Sequence, residues 1–503
     1  MENKDHNWDS SLKNIAAPLR AIDNFAKRAH KEPAHDYRGN YQRDRDRILY
    51  TATFRRLIGK TQIFNTGMGE HYRNRLTHTL EVVQIATTIS KCLGLNMELT
   101  EAIALGHDIG HAPFGHIGER TLNYIMNNCD ILDKYGVELK KGQRGFKHNL
   151  QGLRILCNIE SYSRKYSGMN ITFDTLWGIV NHTSTEWDKC DKLDTKKSCC
   201  LMKRDRQKFK CPNLINKAAF QNLDYYDQYL NQILPDSWSF EAYVVEFADE
   251  IAQRHHDIED GIISEIFEPM GFIDKFKEVF QGMSCYNTPW VQEKIKEIET
   301  EAKAETEFLL PLLSNFIINF YVTNYIIDTA GKLKDNIIDR YSIKNSDDFY
   351  QNKKTLWDTN NTQEIMSFDE GFKKPDEELK DYLKKRIINS RKAQLMDGKG
   401  TFIIRNLFEA YLSTPNQLPD SVILKLFTDY GLIKNDYGKI DRNEIISKYD
   451  IGGLREELEN RRSTQEEELL FHLCRNICDY ISSMTDRYAL RQYEKLYEST
   501  FLI

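Results

Sequence analysis

The chain has 503 residues, of which 40% are hydrophobic and 29% are charged, and it contains eleven prolines. This composition is typical of a folded, helix-rich globular protein with about two to four domains. A formal net charge of −6 does not favour a protein that coats nucleic acid over its whole surface. No apolar run reaches the ~18 residues of a membrane span, and the N-terminus lacks the pattern of a secretory signal. We therefore expect a cytoplasmic protein without a membrane segment.

The ten cysteines do not form the dense framework of a small secreted protein, so reduced thiols are the default expectation. Four of them lie close together in a basic segment: Cys190, Cys199, Cys200 and Cys211. Four thiolates can hold a structural zinc ion, but the adjacent pair in this cluster departs from the usual paired C-x₂₋₄-C spacing. Free thiols in a basic loop are the favoured interpretation, and zinc is the alternative.

The predicted elements begin after a polar N-terminal arm at residues 1–35. Residues 36–65 combine apolar residues at helical spacing with many arginines, which suit ion pairs with nearby acids or recognition of phosphate. The next helix begins near residue 76, and we expect its apolar face to consist of Leu76, Leu80, Val83, Ala86 and Ile89–Ser90. A glycine that follows this pattern marks the end of the helix.

Helical periodicity continues toward the C-terminus, without a strand-like run or a glycine-rich phosphate loop. Glycines and a proline interrupt it at 106–115, and residues 184–236 have no clear period, which indicates a long insertion or surface loop. Helices are predicted over residues 76–95, 99–105, 116–125, 146–159, 173–183, 239–267, 305–342, 377–413, 418–431 and 464–499. The predicted fold class is all-α, with the arm, a catalytic core at 36–345 and a C-terminal helical region at 346–503 that packs on the core.

Five of the thirteen histidines lie in one stretch, which indicates either a metal site or a histidine-rich helical core. They are His71, His78, His107, His111 and His116. Divalent metals of the first transition row, Mg²⁺ and Mn²⁺ accept imidazole and carboxylate ligands, which must come from elements that fold together. The stretch alone leaves both interpretations open.

The adjacent pair His107–Asp108, taken alone, is most simply a satisfied polar pair at a helix end. The metal interpretation is favoured once His78, near a helix start, and Asp249, on the long helix after residue 239, are added. Two histidines and two aspartates would leave open positions on an octahedral ion for water and substrate oxygens.

Asp249, Gln253 and Asp257 share one face of that long helix because they are spaced four residues apart. At 1.5 Å of rise per residue, the two aspartates are roughly 12 Å apart and cannot both coordinate one ion. If Asp249 is a ligand, then Asp257 must contact something about a nucleoside's length away, such as a sugar hydroxyl. This spacing therefore predicts a metal role and a substrate role on a single helix.

His111, His116 and Glu119 follow the His-Asp pair and are candidates for proton transfer. His116 and Glu119 are one helical turn apart, and a carboxylate on one ring nitrogen of a histidine determines its tautomer and raises its basicity. Such a pair can activate water as a general base or protonate a leaving group. Each histidine alone could instead have a helix-capping or core role.

The combination His78, His107, Asp108 and Asp249 resembles the metal-binding pattern of the HD-domain phosphohydrolases. The resemblance is closer to one group within them, the deoxyguanosinetriphosphate triphosphohydrolases, and it extends from about residue 36 to about 495. The segments that resemble this group are FRRLIGKTQIF, YRNRLTHTLEVVQIA, LGHDIGHAPFGHIGE, FKHNLQGLRIL, FADEIAQRHHDIEDGI and CDYISSMTDRYAL.

This resemblance implies hydrolysis of a dNTP, with dGTP as the first candidate, to deoxynucleoside and inorganic triphosphate. It implies a metal site at the four residues above, one divalent ion per subunit (Mg or Mn, with Co, Fe, Ni or Zn as alternatives), and a catalytic group at His111, His116 and Glu119. Arg75 corresponds to a phosphate-binding arginine, and Gln62 and Asp257 correspond to groups near the deoxyribose. Gln253 is a departure, because the family commonly has a tyrosine there that packs on the sugar.

Two other functions remain open on the residues alone. One is a different HD hydrolase, such as a phosphodiesterase or nucleotidase with two metals, for which His148 and His182 are the spare histidines. The other is a nucleic-acid-binding or regulatory protein whose hydrolase site is secondary. The resemblance also implies single-stranded DNA or a dNTP as a candidate effector, and a homo-oligomer that is a tetramer or a hexamer.

Overall fold

The computed structural model describes most of the chain. The described residues are 10–62, 73–128, 131–140, 143–163, 165–183, 235–304, 306–433, 450–463 and 466–498. The cysteine cluster, His71 and nearly all of the predicted insertion at 184–236 lie outside them. Among the described residues, Cys92, Cys285, Cys474 and Cys478 are free thiols.

Twenty α-helices form the described part of the chain, and its only extended pairings are isolated β-bridges. The predicted all-α class is confirmed. The helices are α1 (Asn40–Leu49), α2 (Ala52–Arg56), α3 (Arg75–Leu93), α4 (Met97–Gly106), α5 (Gly115–Ile125), α6 (Ile131–Lys134), α7 (His148–Arg154), α8 (Phe173–Asn181), α9 (Phe240–Ile263), α10 (Pro269–Phe280), α11 (Pro289–Ala304), α12 (Leu309–Leu333), α13 (Ser346–Thr359), α14 (Thr362–Ile365), α15 (Glu370–Ile388), α16 (Arg391–Ser413), α17 (Asp420–Asp429), α18 (Ile451–Ser463), α19 (Glu467–Ser482) and α20 (Asp486–Tyr497).

The three helices that carry or lead directly to the predicted metal ligands each begin at a side-chain cap. Asn74 accepts a hydrogen bond from the backbone N–H of α3, Asn96 does so for α4, and Ser239 does so for α9. Such a cap stabilises a helix by about 1 kcal/mol. Helix α3 ends at Gly94, which has a φ of 85° and forms the left-handed C-cap that glycine favours.

The buried face of α3 agrees with the predicted one except at Leu80, since Ala86 and Ile89 are buried and Leu76 and Val83 pack against the core. Leu80 is 52% exposed, whereas His78, Val82 and Ile85 are buried. The inner face of α3 therefore includes the polar side chain of His78 beside its apolar residues. A pattern based on apolar residues alone therefore assigned Leu80 to the buried face incorrectly and did not indicate that His78 is buried.

The N-terminal region is not a loose arm where the structure describes it. Ala16, Leu19 and Ala21 are at most 2% exposed. The backbone N–H of Ala16 donates to the carbonyl of Leu93 over 2.8 Å. This segment therefore covers the C-terminal end of α3 with apolar side chains.

The buried apolar residues form two clusters. One extends from Ala16 to Ile387 and includes α3, α4, α8 and α9. The other joins residues 112–146 to residues 403–489. Ile109 belongs to the first cluster and Ala112 to the second, so the turn between α4 and α5 crosses from one cluster to the other.

One helical segment in the described residues, Leu309–Asp339, is long and apolar enough to cross a membrane by length and composition alone. Core helices of soluble proteins meet the same criterion. Phe316 and Phe320 of this segment contact the ring of Phe276 with centroid distances of 5.2 and 5.1 Å. Of the apolar window in this segment, 44% is buried inside the protein.

Candidate active site

Four side chains from three helical elements converge beside the junction of the two apolar clusters. Nε2 of His78, in α3, lies 2.9 Å from Oδ1 of Asp249, in α9, and 3.8 Å from Oδ2 of Asp108. Nε2 of His107, directly after α4, lies 3.6 Å from Oδ1 of Asp108 and 3.8 Å from Oδ1 of Asp249. We refer to these four residues as the metal cluster. The structure therefore brings together all four ligands predicted from the sequence.

The tautomer of His107 indicates whether this cluster suits a cation. Its Nδ1 lies 2.7 Å from the carbonyl oxygen of Ala104, which can only accept a hydrogen bond, so Nδ1 carries the proton. Nε2 is then unprotonated, and it is buried without a hydrogen-bond partner. A buried lone pair that faces two carboxylates has no favourable contact until a cation lies between them. The donor set of two imidazoles and two carboxylates fits a divalent ion.

The carboxylates of the metal cluster are held in their ionised form. Burial raises the pKa of Asp108, but the positive charge of Arg75 and the neighbouring His107 and His111 lower it more, and the net pKa lies well below the usual range. For Asp249, burial also raises the pKa, and the neighbouring imidazoles of His78 and His107 lower it below its usual range. Ionised carboxylates are the form that binds a metal.

Arg75 is a cationic side chain in direct contact with the metal cluster. It is 1% exposed, and its Nη1 lies 2.6 Å from Oδ2 of Asp108. Its Nε and Nη2 are buried and have no hydrogen-bond partner. Free guanidinium donors beside a metal cluster suit an anion with several oxygens, such as a phosphate.

The second part of the site is the segment from residue 109 to residue 119, which we call the catalytic turn. Glu119 is buried, and its Oε1 lies 2.8 Å from both the backbone nitrogen and the Nδ1 of His148. His116, its predicted partner, lies 3.5 Å from Oε2 and has a side chain that is 69% exposed. The structure thus places the predicted pair within reach, but His148 is the closer partner of Glu119.

His111 lies between the metal cluster and Glu119. Its Nε2 is 3.0 Å from Oδ1 of Asp108, and its ring stacks on His148 with centroids 3.8 Å apart. Burial and the positive charge of Arg75 hold the pKa of His111 well below its usual range. Because its pKa is this low, the imidazole is neutral near pH 7. For Glu119, burial raises the pKa, and the charge and hydrogen bonds of the neighbouring histidines lower it well below its usual range.

Sequence reasoning treated His148 and His182 only as spare histidines, whereas both contribute to the site. Their Nε2 atoms are 3.2 Å apart, and burial lowers the pKa of His182 to about 3, aided by His107 and His148. Gly110 explains how α7 approaches so closely, because a Cβ at this position would lie 1.9 Å from the carbonyl oxygen of His148. The glycine in the segment HDIGH was the signal that another backbone segment passes there.

The three residues predicted near a sugar are also adjacent. Nε2 of Gln62 donates to Oε1 of Gln253 over 3.0 Å, and Nε2 of Gln253 donates to Oδ1 of Asp257 over 2.7 Å. Burial raises the pKa of Asp257 to about 6, although the hydrogen bond from Gln253 opposes this shift. Oε1 of Gln62 is buried and has no hydrogen-bond partner.

A carboxylate from the C-terminal helices holds two parts of the site in place. Asp486, at the start of α20, accepts hydrogen bonds from the backbone N–H of Phe114 over 2.8 Å and of Thr61 over 3.0 Å. It also accepts one from the hydroxyl of Thr61. Phe114 has a φ of 63°, a strained left-handed conformation for an aromatic residue. Asp486 thus connects the catalytic turn to the residue before Gln62.

Lys60 makes a second connection of this kind. Its Nζ donates to the carbonyl oxygens of His111 and Ser482, the latter over 2.9 Å. Burial and the charge of Arg75 lower the pKa of Lys60 to about 7. We refer to Ser482 and Asp486 as the C-terminal clamp. Asp486 contacts the catalytic turn directly, and Ser482 contacts it through Lys60.

Comparison with known proteins identifies the family of the chain. Residues 75–208 match the HD domain family, and residues 366–427 and 447–495 match the phosphohydrolase-associated domain family. Three relatives are each named a deoxyguanosinetriphosphate triphosphohydrolase-like protein. They come from Rickettsia felis (30% identical over 474 residues, 94% of this chain and 96% of the relative), Rickettsia typhi (31% over 476 residues, 93% and 94%) and Geobacter sulfurreducens (29% over 473 residues, 94% and 92%).

HD domains bind divalent metals, which agrees with the histidine and carboxylate groups of the metal cluster that could hold an ion. The resemblance deduced from the sequence motifs is confirmed. Because the similarity extends over almost the whole of both chains, this protein belongs to the family of HD-domain phosphohydrolases that includes the deoxyguanosinetriphosphate triphosphohydrolase-like proteins.

Proposed function

We propose that the protein hydrolyses deoxynucleoside triphosphates, with dGTP as the first candidate, to deoxynucleoside and inorganic triphosphate. The observation that carries this proposal is the position of Arg75, whose free guanidinium nitrogens lie beside the metal cluster and the catalytic turn. This hydrolysis requires a cationic group that binds phosphate, a metal cluster and groups that transfer protons. The names of the relatives point to the same substrate class.

In this reaction the oxygen of a water molecule bonds to the α-phosphorus, and the bond from that phosphorus to the 5′ oxygen breaks. The 5′ oxygen takes up a proton, and the triphosphate leaves as one unit. His78, His107, Asp108 and Asp249 would hold one divalent ion, Mg²⁺ or Mn²⁺, which neutralises charge on a phosphate under attack. Arg75 would hold phosphate oxygens with the two nitrogens that have no protein partner.

The catalytic turn would provide the proton transfers. His111 is neutral, buried and next to Asp108, so it can accept a proton close to the metal cluster. His116 is exposed, so it can exchange protons with solvent and deliver one to a leaving oxygen. Glu119 would orient His116 and His148 through its carboxylate, because it lies within reach of both rings.

Gln62, Gln253 and Asp257 would contact the sugar. Their side chains form one hydrogen-bonded row, and a sugar hydroxyl could donate to Asp257. Gln253 stands where the family commonly has a tyrosine that packs on the sugar, so the preference for deoxyribose over ribose is the substrate property most open to change in this chain.

The decisive experiment is incubation of the protein with each dNTP and rNTP in the presence of Mg²⁺ or Mn²⁺, followed by chromatographic separation of the products. We expect deoxynucleoside and intact triphosphate, and no product from the variant Asp108→Ala. Release of orthophosphate or pyrophosphate would contradict the proposal.

A phosphodiesterase or nucleotidase with two metals is the second candidate, and one specific observation favours it. Asp108, His111 and His148 each offer a ligand atom, and these atoms lie within 4.8 Å of one another. A second ion bound there would use the same aspartate as the metal cluster. Two metal ions per subunit, measured by elemental analysis of the purified protein, would support this function over the first.

A further inference from the structure

The imidazole of His78 has one nitrogen toward the metal cluster and one toward a different group of residues. Its Nε2 lies 2.9 Å from Asp249. Its Nδ1 lies 3.2 Å from Nδ1 of His256, which is buried in α9. Nε2 of His256 in turn forms a hydrogen bond with the carboxylate of Glu81. Two hydrogen bonds therefore connect Glu81 to His256 and His256 to His78, in a series that crosses from α3 to α9 and back.

The donor and acceptor roles in this series of hydrogen bonds determine which ring nitrogens carry protons. An ionised carboxylate only accepts hydrogen bonds, so Nε2 of His256 is the donor to Glu81. A neutral His256 then has an unprotonated Nδ1, and the 3.2 Å contact requires that Nδ1 of His78 carries the proton. His78 is left with an unprotonated Nε2, directed at Asp249. That is the tautomer that can bind a metal through Nε2.

We propose that Glu81 and His256 are positioning residues that hold His78 in its metal-binding tautomer and orientation. This inference rests on the metal cluster assigned under the proposed function. Neither residue belongs to the predicted set of ligands, catalytic groups or substrate contacts. Outer partners of metal-binding histidines commonly have this role, and their loss lowers metal affinity by roughly 10- to 100-fold.

The surroundings of Glu81 indicate positioning rather than a second metal site. Glu81, His255 and His256 offer ligand atoms within 4.8 Å of one another. However, Nε of Arg73 lies 3.0 Å from Glu81, and Nη1 of Arg73 lies 2.6 Å from Glu259. A guanidinium already supplies the positive charge that these carboxylates need, and it would repel a divalent ion.

Glu259 provides a matched control. It pairs with Arg73 and lies 3.1 Å from Nε2 of His255, but within the described part of the chain no hydrogen bond or ion pair joins it to His256 or His78. Glu81→Ala and Glu259→Ala therefore each remove one partner of Arg73. Only the first removes the hydrogen-bond acceptor of His256.

The test measures binding of Mn²⁺ to metal-free protein by calorimetry, together with the thermal midpoint of each variant. We expect Glu81→Ala to weaken Mn²⁺ binding by about 10- to 100-fold relative to Glu259→Ala. Equal Mn²⁺ affinities in the two variants would overturn the inference. If Asp108→Ala binds Mn²⁺ as tightly as the wild type, the metal cluster itself is wrong, and the inference fails with it.

A second pair of variants keeps the test informative should Glu81→Ala not fold. An asparagine at position 256 can place its amide oxygen near the position of Nδ1 and accept the proton of His78, whereas a leucine cannot. We expect His256→Asn to bind Mn²⁺ at least tenfold more tightly than His256→Leu. Equal binding in these two folded variants would show that His256 only fills space.

Discussion

The metal cluster and the catalytic turn are adjacent, but they are held by different means. The cluster takes His78, His107 and Asp249 from or directly after helices that start at defined caps and pack in one apolar cluster. The catalytic turn crosses into the second apolar cluster and includes Phe114 in a left-handed conformation. Its backbone is held by the C-terminal clamp. We infer that metal binding depends on the first apolar cluster, whereas turnover also depends on the C-terminal helices.

The largest expected effect comes from removing a residue of the metal cluster. Asp108→Ala should lose metal and activity together, because it removes a carboxylate within 3.8 Å of His78, His107 and His111. A metal contributes several kcal/mol to the transition state, so the rate should fall by about 10⁴-fold. Elemental analysis and a turnover assay on the same sample check this. A variant that retains the metal while losing activity would contradict the assignment of Asp108 as a ligand.

Substitutions in the catalytic turn should lower turnover without changing metal affinity, which distinguishes the catalytic turn from the metal cluster. We expect Glu119→Gln to keep metal affinity and to lose about 10³-fold in kcat, since general acid–base groups contribute 10²- to 10⁴-fold. His116→Ala should also keep the metal and lose about 10²-fold in kcat, because its side chain is the more exposed partner. Single-turnover kinetics with Mn²⁺ titration measure both quantities. Normal turnover by His116→Ala would remove it from the catalytic group.

The C-terminal clamp should affect turnover without affecting metal binding. Asp486→Ala removes the acceptor for Phe114 and Thr61, so the catalytic turn should shift and kcat should fall about tenfold, because small displacements of catalytic groups are costly. Asp420→Ala is the control, since that aspartate pairs with Arg455 at the surface and is 52% exposed. If both variants have wild-type kcat, the catalytic turn does not depend on the clamp.

These two regions also differ in how far the sequence predicts them. The all-α class and the family follow from helical periodicity and from motifs such as LGHDIGHAPFGHIGE. The four ligands could be proposed because residue type and spacing are specific for metal chemistry, although their roles remain predictions. The contact of Asp486 with Thr61 spans 425 residues, and no local pattern encodes such a pairing. The exposure of Leu80 was missed for a related reason, because apolar periodicity does not indicate that the polar residue His78 lies on the inner face of α3.

The pH dependence of substrate binding should give the smallest effect, at the end of the site away from the metal cluster. Burial raises the pKa of Asp257 to about 6, so this carboxyl is ionised, and able to accept a hydroxyl proton in a hydrogen bond, only above that pH. For a single group, kcat/KM should fall about tenfold from pH 7 to pH 5. The stability of the folded state should change in the opposite sense. An acid whose pKa is raised on folding stabilises the folded state at low pH, and this stabilisation is lost as the pH rises from about 4 to about 6. Asp257→Asn should remove this part of the kcat/KM profile while leaving Mn²⁺ affinity unchanged. A profile that keeps its full slope in that variant would assign the titration to another group.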